Sequence, residues 1–263
     1  MTRSLRFIWL LIKMKIVRTM AFRFSFFGVF FADGMLFLIQ LLTFAVIYGQ
    51  VDSIGGWSRG QMLIFIGTFS MINGLNMIIY FFGVVEIPWK IRDGRLDTYL
   101  TKPGNALLRL TFESVNLGSI PLLFLSGAII AWGVSIEGIV ITVPLMLGYT
   151  GMVLLMTLLW YDMEVILRTI PFFVISATSI DWLEGDMLML NFKIPGVIYK
   201  GFFRILFYFA LPYGIMATVP TQLLSGAMTK SGLIHSLAVV LVFTVFTFWF
   251  WKFGLKHYKS ASS

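Results

Sequence analysis

From residue 24 to residue 49 the chain runs through apolar side chains with Asp33 as the sole charge, and further long apolar stretches recur at 61–85, 112–132, 138–160, 166–181 and 233–254. An α-helix needs about 20 such residues to cross a ~30 Å hydrocarbon core. Helices are favoured there because they satisfy every backbone donor and acceptor internally. This recurrence constrains the fold more than any motif does. It predicts an all-α polytopic membrane protein with six transmembrane helices in a single domain, 1–263. The 59% hydrophobic content, the 27 Phe and a mean hydropathy of +0.90 exclude an ordinary soluble domain.

Two apolar segments do not read as simple spans. Residues 3–23 are basic and apolar together, with Arg3, Arg6, Lys13 and Arg18 within one broad arc of a helical wheel. That pattern predicts an N-terminal interfacial amphipathic helix, or more simply a basic flank that sets orientation. No cleavable signal peptide is expected. Residues 195–226 are punctuated by Pro195, Gly196, Gly201, Pro212, Gly214, Pro220 and Gly226. Proline removes a backbone donor and clashes with the preceding turn, so this segment should break into short re-entrant helices before the last span, or form a kinked seventh span. Broken backbone at membrane depth requires burial in protein or a watery cavity.

Charge orients the bundle. With six spans and both termini cytoplasmic, 15 of the 20 Lys and Arg fall inside, leaving Arg59, Lys193, Lys200, Arg204 and Lys230 outside. That asymmetry obeys the positive-inside rule and also favours six crossings over seven. It accounts for the net charge of +8 through the lipid bilayer, with no nucleic acid as partner.

Catalytic and metal-binding signatures are lacking. There is no phosphate-binding loop, no nucleophile elbow and no cysteine, and His235 and His257 stand far apart. The chain is therefore expected to be no enzyme and to hold no metal and no cofactor of its own. Within the spans, Asp33 is read as a wall residue of a transport pathway or as a residue at headgroup depth, since charge at depth is costly. Asn73 and Asn76, three apart, share one face of the second span and are pathway candidates or an interhelical hydrogen-bonding pair. Gly67 and Gly74, seven apart, allow close backbone approach. Asp162, Glu164 and Arg168 are expected at a short inner turn over 161–164. Asp181, Glu184 and Asp186 are expected in an outer loop that is solvated or receives a cation. Trp57, Trp132, Trp182 and Trp249 fall near span ends, where aromatic belts belong.

The densest charge lies in residues 86–110, where Lys90, Arg92, Arg95, Lys102 and Arg109 accompany Glu86, Asp93 and Asp97. Leu96, Tyr99 and Leu100 fall at i, i+3 and i+4 and so share one helical face. An apolar face with Asp97 beside it, ringed by Arg92, Asp93, Arg95 and Lys102 and bounded by the breaks at Gly94 and Pro103, suits docking to a protein groove. A helix lying on the lipid surface explains the bases but not Asp93 and Asp97.

This run, Ile91-Arg-Asp-Gly-Arg-Leu-Asp-Thr-Tyr-Leu-Thr-Lys-Pro103, resembles the cytoplasmic segment of permease subunits of ABC-type exporters of the type-2 class, in the six-span branch carrying "R-x-G-x-L-D-x-x-L-x-x-P". The run Val219-Pro-Thr-Gln-Leu-Leu-Ser-Gly226 and the ending Phe253-Gly-Leu-Lys-His-Tyr-Lys-Ser-Ala-Ser262 are similar to the same group. The resemblance implies a coupling helix within 86–110, with Arg92, Gly94, Leu96, Asp97, Leu100 and Pro103 matching its motif. It further implies a second permease, identical or a sister chain, and separate cytoplasmic ABC ATPase subunits that bind ATP-Mg. The expected setting is a bacterial plasma membrane. Gly104-Asn105 departs from the motif, where a bulkier residue is expected. A secondary transporter built around Asp33, or a membrane anchor for a cytoplasmic protein, are the rival readings.

Overall fold

A computed structural model describes residues 23–174 and 178–258. The expected interfacial helix at 3–23 lies outside the described residues except for Arg23, as does the end of the closing motif, 259–262. Among the described residues the architecture is helical, with one isolated bridge between Ile54 and Trp57. Helix α1 covers Arg23–Ile47 and α2 Arg59–Ile79. Four short helices follow: α3 Phe81–Val84, α4 Ile87–Arg92, α5 Asp97–Leu100 and α6 Ala106–Phe112. Two long ones come next, α7 Ile120–Glu137 and α8 Val143–Thr169, then α9 Thr178–Lys193. The pieces α10 Gly201–Ile205, α11 Tyr213–Met216 and α12 Thr218–Leu224 precede the terminal helix α13, Lys230–His257.

Among the described residues, four helical stretches are long and apolar enough to cross a membrane, or five if the bent pair at 201–224 counts as one. This is fewer than six. The expected fifth span, 166–181, is not one helix: its first residues belong to α8, which gives way to a 3-10 turn at Ile170–Phe172, and its last, from Thr178, belong to α9. Nor does the chain turn at 161–164, where α8 continues unbroken to Thr169. Trp160, Glu164 and Arg168 sit at i, i+4 spacing and bond to one another along the helix, so charges that read as a solvated turn stabilise the helix instead. Pro171 then stops it: with no amide hydrogen it cannot bond the preceding turn, and the helix gives way to a 3-10 turn at Ile170–Phe172.

Helix α2 is the centre of the bundle. Two-thirds of its spanning window is buried, against 22% for α13, which faces outward. Ser58 caps α2 in a reciprocal box with Gln61 and also bonds Glu137 at the end of α7. Glycines zip the two helices together. A Cβ at Gly67 would stand 2.7 Å from Ile130 Cγ1 and 3.0 Å from the Ser126 carbonyl, and one at Gly74 would stand 2.8 Å from Leu123. Gly60, one heptad earlier, meets Glu137, and Gly133 answers from α7 with its own contact on Gly60. Small residues at such spacing let helices approach closely where no hydrophobic force drives them together.

Residues 195–226 are broken as their prolines and glycines predict. A 3-10 turn at Gly196–Ile198, α10, a π-helical turn at Leu206–Ala210, and α11 with α12 follow in succession. The chain bends by 79° between the 201–210 and 213–224 pieces, at Pro212. Backbone satisfaction is supplied by protein: the Gly196 amide donates to Thr218 Oγ1 at 2.8 Å.

Candidate functional site

The loop from 86 to 113 folds back on itself through a buried lysine. Lys90 on α4 is almost fully enclosed, with its ammonium 3.0 Å from Glu86 Oε2 and 2.8 Å from Glu113 Oε1. Tyr99 donates its hydroxyl to the other Glu113 oxygen at 2.5 Å, and the ammonium lies 5.3 Å from the centre of the Tyr99 ring. Burial pushes the Lys90 ammonium toward losing its proton. Hydrogen bonds and charge from Glu113 and Glu86 outweigh that and hold its pKa above the ordinary lysine range. Burial, reinforced by Glu113, likewise raises the Tyr99 phenol. Where the loop ends, the Asn116 amide donates to the Ile78 carbonyl at 3.1 Å, so the departing chain is pinned to the last turn of α2.

Two turns shape this closure. Gly94 adopts φ +68° between α4 and α5, a left-handed conformation that any Cβ disfavours. Gly104 takes φ +115°, and Asn105 then caps α6 by accepting from Leu107 N at 2.9 Å and Leu108 N at 3.3 Å. The Gly104-Asn105 pair that departs from the expected bulky residue is thus a turn and a helix cap.

The structure inverts the expected docking face. Leu96 is fully buried in a cluster with Ile87, Ile91, Leu107, Leu110 and Trp251, and Tyr99 packs half-buried against it. Only Leu100, 41% exposed, remains outside. Leu96 and Tyr99 therefore anchor the loop to the bundle. The outward surface is made instead by Trp89, 59% exposed, with the Arg92 guanidinium 4.3 Å from the centre of its ring. Asp93 and Arg95 form an exposed ion pair at 3.2 Å beside it, and Lys102, Pro103 and Gly104 are exposed further along. Trp89 and Glu113 went unnoticed in the sequence. A tryptophan among charges and a lone acid just past the loop were the available signals.

Asp97 is half-buried beside Tyr258, which lies just beyond α13. Burial and this carboxylate push the Tyr258 phenol upward. Residues of the two sequence motifs, in the loop and at the chain's end, are thereby brought together.

A second concentration of charge lies within the bundle. Arg168 on α8 pairs with Glu164 at 3.2 Å and with Glu184 on α9, and all three are buried. Trp160 donates to Glu164 Oε1 at 3.2 Å, and Tyr213 on α11 donates to Glu184 Oε1 at 3.4 Å. Asp162 points elsewhere, accepting from the Thr244 hydroxyl of α13 at 2.6 Å. The expected outer acidic loop is thus part of helix α9, with Glu184 buried and Asp186 exposed, and the side chain of Asp181 outside the described residues.

The pathway candidates separate. Asp33 lies on α1 with its side chain outside the described residues. Asn73 lines an open cleft of about 260 Å³ with Phe37, Ser70, Trp160 and Leu188, whereas Asn76 is buried in α2 away from it. Of the expected belt residues, Trp132, Trp182 and Trp249 are exposed near helix ends, but Trp57 is buried against Phe65.

In comparison with known proteins, residues 35–262 match the model of a family described as ABC-2 family transporter protein. No curated protein and no solved structure matches the chain.

Proposed function

Because the chain belongs to the ABC-2 family of transporter proteins, an ABC-type permease family, we propose that it is the membrane-spanning subunit of an ATP-driven exporter. In this reading it forms the translocation pathway as a dimer with a second permease, identical or a sister chain. Separate cytoplasmic ATPases bind ATP-Mg and engage residues 86–110. In this reading α1 and α9 complete six crossings with the four long apolar helices α2, α7, α8 and α13, α9 takes the place of the expected 166–181 span, and the pair bent by 79° is re-entrant on the outer side. The charge asymmetry supports cytoplasmic termini in a bacterial plasma membrane.

The observation that carries the reading is the braced loop. It holds Trp89, Arg92, Asp93 and Arg95 outward while Leu96, Tyr99 and Lys90 fix its inner side. An aromatic anchor with a charged rim is the composition of an interaction hot spot. A stiff mount lets motion of a docked partner reach the bundle.

The test is co-reconstitution with the ATPase that copurifies from native membranes. Trp89→Ala and Arg95→Glu are each expected to cut permease-stimulated ATP hydrolysis at least tenfold while thermal unfolding of the purified permease stays unchanged. Full stimulation in both variants rules out docking at this surface.

A further inference from the structure

Phe248 on α13 lines two neighbouring grooves. The first, about 330 Å³, is walled by Ile79 at the end of α2, Leu108 and Phe112 of α6, and Leu154 and Leu158 of α8. Its polar groups are turned inward: Tyr80 donates to the Thr157 carbonyl at 2.8 Å, and the Thr111 and Tyr161 hydroxyls bond each other at 2.9 Å. It offers hydrocarbon only, and Leu108, Leu154, Leu158 and Phe248 are all exposed along it.

The second groove, about 270 Å³, continues from Phe248 toward the end of α13. It lies between Leu100 and Asn105 of the loop and Lys252 and Leu255 of the helix. Here Asn105 Oδ1 is committed to capping α6, which leaves its amide hydrogens to donate, and the Tyr99 hydroxyl gives its own hydrogen to Glu113. Lys252 is exposed, and no carboxylate lines either groove.

A hydrocarbon slot opening onto an ammonium and an amide donor has the chemistry of an anionic amphiphile lying along the helix. The tail replaces lipid-exposed Leu and Phe contacts, and the head meets the cation at the membrane surface. We propose that these two neighbouring grooves together bind one anionic phospholipid from the leaflet on the loop's side, lying across Phe248. One acyl chain lies against Leu158 and Phe248, and the phosphate sits at Lys252. The lipid then touches the loop directly at Leu100 and Asn105. The site requires no ATPase, so it stands or falls separately from the docking reading above.

Native mass spectrometry of the purified full chain, given equal phosphatidylglycerol and phosphatidylcholine, tests it. Retention of phosphatidylglycerol is expected to exceed that of phosphatidylcholine at least tenfold. Lys252→Glu should lower it about tenfold, and Leu158→Trp, which fills the apolar slot, should do the same. Lys256→Glu, one turn on and outside the groove, should change it less than twofold. If Leu158→Trp fails to fold, Leu158→Phe takes its place, with an intermediate loss. Equal retention of the two lipids overturns the proposal. So does equal loss in Lys252→Glu and Lys256→Glu, which is general attraction to a basic helix end. The chain has no cysteine, so Leu100→Cys carrying a photoactivatable label identifies the occupant in phosphatidylglycerol-containing vesicles. Lipid adducts support the proposal. Crosslinks to residues 1–22, to a second copy or to an ATPase assign the groove to protein and overturn it.

Discussion

Arg168 on α8 and Glu184 on α9 form an ion pair in which both side chains are buried, and the same guanidinium also holds Glu164. Removing one partner of a buried pair typically costs about 3–5 kcal/mol, because the other charge is left without compensation. Arg168→Met strands two carboxylates, whereas Glu184→Gln keeps the Arg168–Glu164 pair. Arg168→Met is therefore expected to lower the thermal unfolding midpoint in detergent further than Glu184→Gln. Equal shifts would mean that Glu164 draws little from the arginine.

Close approach of α2 and α7 makes Gly67 intolerant of size. Gly67→Ala is expected to destabilise by about 1–3 kcal/mol, as overpacking does, because its new methyl meets Ile130 at 2.7 Å and the Ser126 carbonyl at 3.0 Å. Gly151, in the middle of α8, has nothing within 4 Å of the position a methyl would take. Gly151→Ala should be neutral, or stabilising by up to about 1 kcal/mol through helix propensity. Denaturant titration of the two variants side by side distinguishes local packing from general sensitivity of the bundle.

The left-handed backbone at Gly94 is needed to turn α4 into α5. Gly94→Val should cost about 1–2 kcal/mol or more, since a Cβ crowds the carbonyl in that conformation. Gly94→Asn should be milder, since asparagine visits this region more readily. Limited proteolysis of the loop is the measurement, with cleavage within 86–110 expected to rise in the order wild type, Asn, Val.

Lys90 and Tyr99 both have pKa values raised by the fold. A raised folded pKa contributes stability that is fully present below the unfolded value and is lost as pH rises through the folded one. The loop should therefore stay closed across neutral pH and loosen only in alkali, above the ordinary lysine range. Lys90→Met removes the hydrogen bonds to two carboxylates, each worth about 1.5–3 kcal/mol where a charge is involved, and should open the loop at neutral pH. Hydrogen exchange over residues 86–113 as a function of pH reads both effects. Early exchange in the wild type at neutral pH would contradict this bracing.

Much of the fold was legible from residue type alone. The apolar run over 61–85 became α2 and the short α3, broken at Tyr80, and the prolines and glycines of 195–226 announced their broken backbone. Gly67 and Gly74 marked the tight helix pair, and Gly60 extends their spacing by one heptad. The failures share a physical origin. Asp162, Glu164 and Arg168 looked like solvated polarity because composition does not report partners, and Arg168's second partner, Glu184, lies 16 residues away on another helix. The Leu96-Tyr99-Leu100 face was found, but periodicity shows only which residues share a face. That Leu96 turns toward Trp251 of α13 is decided by packing between distant segments. Charges around the face suggested a rim, whereas Lys90 and Glu113 are its internal brace.

The Lys90–Glu113 contact and the Asn116–Ile78 bond close residues 78–116 into a ring. A closed ring has no free end to swing. Any force delivered at Trp89 arrives at α2 and α7 together, and the glycine seam between those helices leaves them little room to slide apart. Mechanically the hairpin is a single stiff rod with a handle, and a push on the handle tilts the rod as one body.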